Sequence, residues 1–127
     1  MNQPIPPKIL IADDEAFMLR LLEMTMKKGG YEVISCHDGH EALAAAFSAP
    51  PRLIVLDIMM PGLDGLGALR QLKENPATQN IPVIVLSGRG QALTQAEAER
   101  AGALRYFTKP FSPNQLLDEV KKILATQ

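Results

Sequence analysis

Neither a disulfide bond nor a membrane span is available to this sequence of 127 residues. Cys36 is its single cysteine, so no disulfide can form within the chain, and a reducing cytoplasm is the simplest setting. No run of apolar residues is long enough to cross a bilayer. Residues 1–8 lack the charged start and long apolar core of a signal peptide, and we expect residues 1–7 to form a flexible arm. The sequence therefore predicts a cytoplasmic protein.

The chain also lacks a strong charge of either sign. Its 13 basic and 14 acidic residues give a formal net charge of −1, and no run of basic residues is visible. This balance offers no general attraction to nucleic acid. With 46% hydrophobic residues, no low-complexity segment and no internal repeat, residues 1–127 fit one domain with one core.

Five short predicted strands alternate with stretches of helical periodicity. The first, third and fourth are continuous apolar runs rather than alternating ones, which is typical of strands buried on both faces of a parallel sheet. Strands are predicted at residues 8–12, 31–36, 53–57, 81–87 and 104–107, and helices at 16–28, 38–47, 66–74, roughly 91–101, and from 113 to the C-terminus. Such an alternation predicts an α/β fold with right-handed crossovers and helices on both faces. The flavodoxin-like doubly wound strand order 2-1-3-4-5 is the common solution at this size.

Local signals mark several helix ends. Asp38 with Glu41 resembles a capping box, and Ser112 followed by Pro113 is a well-formed helix start. Gly102 is expected to cap the fourth helix. The methionines of the first helix have helical spacing and are predicted to fill the core; they are Met18, Met24 and Met26.

Charged and hydroxyl side chains stand where four of the predicted strands end. Asp13 and Asp14 follow the first strand, Asp57 ends the third, Ser87 the fourth, and Lys109 follows the fifth. In a parallel sheet these positions converge on one edge, where open α/β sheets bind their ligands. Three carboxylates so close together repel one another. Lys109 can relieve that repulsion, and so can Mg²⁺, which binds one or two carboxylates and keeps other ligands.

This set of side chains matches the requirements of phosphoryl transfer. Asp57 can act as the nucleophile, Mg²⁺ and Lys109 can neutralise charge on the transferring group, and the hydroxyl of Ser87 can donate to a phosphoryl oxygen.

From Lys8 to about Leu124 the sequence resembles the receiver domains of two-component response regulators. The motifs that carry the resemblance are Asp13-Asp14, Asp57 with Met60-Pro61-Gly62 and Asp64-Gly65, Ser87, and Lys109-Pro110-Phe111.

The resemblance implies a role for each site residue. Asp57 accepts a phosphoryl group from a histidine kinase or phosphotransfer protein. Asp14, Asp57 and the main-chain carbonyl of Met59 bind Mg²⁺, and Asp13 assists through water. Lys109 pairs with the phosphoryl group, and its bond to Pro110 is expected to be cis. Tyr106 matches the aromatic residue whose side chain swings inward when the hydroxyl residue, here Ser87, moves toward the phosphate.

Phosphorylation would add roughly −1.5 to −2 charge at one point and so bias two conformations. The output surface is then expected on helix four, strand five and helix five, with exposed positions at Gln95, Glu99, Arg105, Asn114, Asp118 and Lys122. Neither Met59 nor Arg89 supplies a group that readily orients an attacking water, which predicts slow dephosphorylation.

Two other functions compete with this interpretation. An aspartyl-phosphate phosphatase usually needs an acid two residues after its nucleophile, and Met59 stands there, so turnover of free substrates is not expected. A partner-binding module without phosphorylation tends to lose the acidic pair or the lysine, and here all are present. The sequence leaves open the kinase, the downstream target or linked output domain, a homodimer through the output surface, and whether the chain is a stand-alone regulator or part of a longer protein.

Overall fold

A computed structural model describes residues 5–60, 62–88 and 94–126 of the chain. Within these residues, five strands alternate with five helices. The strands are β1 (Lys8–Ala12), β2 (Glu32–Cys36), β3 (Leu53–Asp57), β4 (Val83–Ser87) and β5 (Arg105–Thr108). The helices are α1 (Ala16–Lys28), α2 (Gly39–Ser48), α3 (Gly65–Glu74), α4 (Gln95–Arg100) and α5 (Pro113–Ala125).

The strands form one parallel sheet in the order β2-β1-β3-β4-β5, which confirms the predicted flavodoxin-like α/β fold. All residues of β3 and β4 are buried because helices cover the sheet on both sides. One face packs with buried residues of α2, α3 and α4, and the other with buried residues of α1 and α5. None of the described helices has the length and apolar character needed to cross a membrane.

The predicted helix starts are largely confirmed by side-chain hydrogen bonds. The amide of Gln115 donates to Oγ of Ser112 at 3.3 Å, and Pro113 occupies the first turn of α5. At α2, the amide of Glu41 donates to Oδ1 of Asp38 at 2.8 Å. The predicted reverse half of that capping box is wrong, because Oε1 of Glu41 accepts instead from the amide of His37, at 3.2 Å.

The fourth helix is shorter than the predicted span of 91–101. It runs from Gln95 to Arg100, while residues 91–93 lie outside the described part of the chain. Thr94 and Glu97 form a full capping box at its start. This pair is visible in the sequence and locates the helix start more closely than the content of Gln, Ala and Glu, on which the predicted span was based. As expected, Gly102 follows the helix end with a positive φ of 114°.

The core contains most of the predicted apolar residues, with one correction in α1. Met26 is buried and Met18 packs against the core, but Met24 is 64% exposed and does not fill it. Met24 lies two turns after Phe17, which is 82% exposed, so both belong to the outward face of the helix. The prediction for Met24 was wrong because α1 carries apolar side chains on both faces.

Candidate functional site

The site is built where four strands end at one edge of the sheet. The register pairs Ala12 with Leu56, Asp57 with Leu86, and Ser87 with Thr108. Asp13, Asp57, Ser87 and Lys109 therefore lie at the same level of neighbouring strands. This confirms the predicted convergence of the strand ends.

Three carboxylates meet at this edge. Among the described residues, oxygen atoms of Asp13, Asp14 and Asp57 all lie within 4.8 Å of one another. Asp13 and Asp57 are 0% and 2% exposed, whereas Asp14 is exposed. Burial of two acids in such proximity is unfavourable unless positive charge is supplied.

Both oxygens of Asp13 are already engaged. Oδ1 accepts a hydrogen bond from the amide of Glu15 at 2.9 Å, and Oδ2 accepts one from Nζ of Lys109 at 3.2 Å. The carboxylate of Asp14, in contrast, has no hydrogen bond or ion pair with any residue that the structure describes. Asp14 is thus exposed at the site, while Asp13 is held in place.

Lys109 is the cation of the site. Its ammonium group lies 3.2 Å from Asp13, 3.4 Å from Asp57 and 3.6 Å from Glu15. The contact with Glu15 was missed from the sequence, although Glu15 directly follows Asp13-Asp14. The bond between Lys109 and Pro110 is cis, as the resemblance implied.

The electrostatics of the site favour a further cation. Burial, followed by repulsion from Asp13, raises the pKa of Asp57 from 3.8 to about 6, although Lys109 and the Met59 amide act in the opposite direction. Burial alone would lower the pKa of Lys109, but the charges of Asp57 and Asp13 outweigh it and raise that pKa. The site thus gathers more carboxylates than the single lysine can balance, and a divalent cation would reduce that excess of negative charge. Carboxylate oxygens are the donors that Mg²⁺ prefers, so the residues present fit that ion.

Known proteins resemble this chain in sequence and in fold. The sequence pattern of the family described as "Response regulator receiver domain" matches residues 9–121. The chain belongs to this family. In two-component systems a receiver domain is a signalling domain, and accepting a phosphoryl group is the function of the family.

Curated relatives of this receiver domain include two bacterial transcriptional regulators. The chain is 40% identical over 124 residues to the transcriptional regulatory protein ResD of Bacillus subtilis, covering 98% of this chain and 50% of ResD. It is 36% identical over 116 residues to the phosphate regulon regulatory protein PhoB of Pseudomonas aeruginosa, covering 91% and 51% of the two chains. The receiver domain thus spans about half the length of these relatives.

Solved structures of similar length have the same fold. The receiver domain of the Francisella response regulator 1452 has a TM-score of 0.87 at 33% identity, over 95% of this chain and 99% of that one. The chemotaxis protein CheY4 of Vibrio cholerae has a TM-score of 0.85 at 28% identity, over 93% and 98%.

The remaining predicted residues lie on β4 and β5 and directly after β3. Ser87 is buried at the end of β4, and the amide of Lys109 donates to its carbonyl at 2.7 Å. Met59 is 59% exposed, and its amide donates weakly to Oδ1 of Asp57 at 3.4 Å. Tyr106 is half-buried on β5 and packs against the core. Pro61 and Arg89 lie outside the described residues, so the expectation for Arg89 stays a prediction.

Proposed function

We propose that this receiver domain is phosphorylated on Asp57 by a histidine kinase or phosphotransfer protein. An oxygen of Asp57 attacks the phosphorus, the new O–P bond forms as the P–N bond to the donor imidazole breaks, and the imidazole nitrogen regains a proton. The observation that supports this best is the placement of Asp57: it is buried at the end of a central strand, and Asp13, Asp14 and Lys109 surround it.

Mg²⁺ is the cofactor we infer. Asp14 and Asp57, with the main-chain carbonyl of Met59, would hold the ion directly, and Asp13 would act through water. The exposed carboxylate of Asp14 and the engaged oxygens of Asp13 support that division. When bound, the ion would neutralise charge on the transferring phosphoryl group.

Lys109 and Ser87 would detect the modification. Lys109 would pair with a phosphoryl oxygen, Ser87 would donate its hydroxyl to another, and Tyr106 would move inward as Ser87 shifts. The surface of α4, β5 and α5 would then change its partners. The six positions proposed for it are all exposed, namely Gln95, Glu99, Arg105, Asn114, Asp118 and Lys122.

The phosphodonor protein is expected to dock over α1. Phe17 and Met24 are exposed apolar side chains two turns apart on this helix, which begins two residues after Asp14. A donor that covers them would therefore lie beside the acidic residues. Apolar contact area of this kind commonly dominates the energy of protein interfaces.

We further infer that the chain is one receiver domain of the cytoplasm, residues 1–127, and that it catalyses no turnover of free substrates. Its downstream partner would be another protein or an output domain linked to it, and a homodimer would use the surface of α4, β5 and α5. The curated relatives are about twice as long as the matched region, which agrees with a linked output domain. The domain itself would not bind nucleic acid directly, since its net charge is −1.

Acetyl phosphate tests the central proposal. Wild type with Mg²⁺ should gain one phosphoryl group by intact-mass spectrometry, and it should gain none with EDTA. Asp57→Ala should remain unmodified. Asp64→Ser is the matched control, because serine keeps the hydrogen bond that caps α3 while removing a nearby exposed carboxylate. An adduct on Asp57→Ala, or none on wild type, would refute the proposal.

A further inference from the structure

Helix α4 is attached to the rest of the molecule mainly at its C-terminal end. Its N-cap and first turn, Thr94–Glu97, are exposed, and within α4, which is described throughout, only Ala98 is buried. Beyond the helix, the amide of Ala103 donates to the Ala98 carbonyl at 2.9 Å, and that of Leu104 donates to the Val83 carbonyl at 2.8 Å. One end therefore faces solvent, and the other is bonded to β4.

A lysine from α3 reinforces the bonded end. Lys73 lies in the last turn of α3, and its Nζ donates to the carbonyls of Gln79 at 3.0 Å and Ile81 at 2.7 Å. Burial of the side chain lowers its pKa. Both hydrogen bonds fix the lysine to the loop that leads into β4, so this side chain has a single well-defined course.

The turn after α4 rests on the stem of that lysine. Gly102 has a φ of +114°, and a Cβ built on it would lie 2.6 Å from Cγ and 3.2 Å from Cδ of Lys73. Glycine is needed here both for its backbone conformation and for the close approach. The stem of Lys73 thus fills the space between the α3–β4 loop and the α4–β5 turn.

We propose that Lys73 is a positioning residue that fixes the C-terminal end of α4, so that the helix responds to phosphorylation by moving its N-terminal end about Gly102. With the described residues, the first turn forms side-chain hydrogen bonds only within α4 and its N-cap, whereas the other end is bonded to β4. Ser87 ends β4 and precedes α4 in the chain, so a shift of Ser87 would reach the N-terminal end of the helix first. This inference rests on the proposed function, because it requires a phosphorylation-dependent movement of Ser87.

Amide hydrogen exchange tests the fixed end without phosphorylation. Lys73→Met keeps a stem of similar length but cannot donate to the two carbonyls. The amides of Ala103 and Leu104 should exchange about tenfold faster in this variant, while core amides such as that of Leu56 stay unchanged. Lys73→Arg, which can donate to both carbonyls, should restore slow exchange. Unchanged exchange at Ala103 and Leu104 in Lys73→Met would overturn the proposal.

Lys27→Met is the matched control, since Lys27 also lies in the last turn of a helix but is exposed. It should leave the amides of Ala103 and Leu104 as protected as in wild type. If these two amides exchange as fast in Lys27→Met as in Lys73→Met, the loss of any lysine has this effect. That result would overturn the role of Lys73.

Beryllofluoride with Mg²⁺, a mimic of the phosphoryl group, tests the movement by amide chemical shifts. In wild type we expect large changes at Thr94–Glu97 and small ones at Ala101–Ala103, and in Lys73→Met we expect the changes to spread to Ala101–Ala103. Equal chemical-shift changes at both ends of α4 in wild type would overturn only the proposed movement about Gly102. The same distribution of changes in wild type and Lys73→Met would also overturn it. If wild type shows no change at any amide, both the proposed function and the movement of α4 about Gly102 are overturned. The hydrogen-exchange result would still decide whether Lys73 fixes the turn after α4.

Discussion

Replacing Asp57 with asparagine is expected to stabilise the receiver domain when no divalent cation is present. Asp57 is 2% exposed and lies among Asp13, Asp14 and Lys109. Its charge is therefore poorly solvated and only partly balanced. Asparagine has nearly the same shape and carries no charge, so the substitution removes the repulsion without opening a cavity.

The magnitude follows from the pKa of Asp57, which burial and Asp13 raise from 3.8 to about 6. A change of that size corresponds to about 3 kcal/mol between the charged and neutral forms in the folded protein. Lys109 loses one partner in the variant, which reduces the gain. We therefore expect Asp57→Asn to raise the free energy of unfolding by about 1 to 3 kcal/mol at pH 7.5 in EDTA.

The sign of the pH dependence is set by the folded pKa lying above the unfolded one. Below pH 3.8 the carboxyl is protonated in both states, so the two proteins should have similar stability. The advantage of the variant should grow as the pH rises through the interval up to about 6 and stay constant above it. Urea unfolding at a series of pH values measures this directly. A variant that is less stable than wild type at pH 7.5 in EDTA, or an advantage independent of pH, would refute the reasoning.

Three further substitutions test other parts of the site. Lys109→Met should destabilise the metal-free protein by about 2 to 4 kcal/mol in urea unfolding, because the buried acids lose their cation, and Mg²⁺ should recover part of the loss; unchanged stability in EDTA would contradict this. Met59→Asn should speed loss of the phosphoryl group by about tenfold in a time course of intact mass, since the side-chain amide of asparagine can orient an attacking water. The apolar control Met59→Leu should stay slow, and equal rates would count against the role of this position. Phe17→Glu should slow transfer from a phosphohistidine protein about tenfold yet leave labelling by acetyl phosphate unchanged. The control is Phe47→Glu, which alters an exposed aromatic residue of α2. If Phe17→Glu loses both protein-dependent transfer and labelling by acetyl phosphate, the variant is misfolded and has not merely lost docking.

The fold could be predicted from the sequence because the short unbroken apolar runs of β1, β3 and β4 are typical of strands buried on both faces. The end of each run then located the site, since parallel strands place their carboxyl ends at one edge. The bounds of α1 were predicted correctly because Lys28 is followed by two glycines. This topology alone is enough to bring together Asp13, Asp57, Ser87 and Lys109.

Side-chain contacts across the fold were less accessible. Met24 was assigned to the core because helical spacing alone does not tell which of two apolar faces is turned inward. The side chain of Glu41 reached one residue further back than a capping box requires, to His37. The role of Lys73 could not be predicted, because its partners belong to a loop and a turn that only the folded structure brings together.

The most direct test of the central claim is to locate the phosphoryl group. After phosphorylation with acetyl phosphate and Mg²⁺, borohydride reduces an aspartyl phosphate to homoserine, and tandem mass spectrometry of the peptides identifies the converted residue. We predict homoserine at position 57 and at no other aspartate, with conversion abolished by EDTA. Conversion at another aspartate, or at Asp57 without dependence on Mg²⁺, would contradict the account.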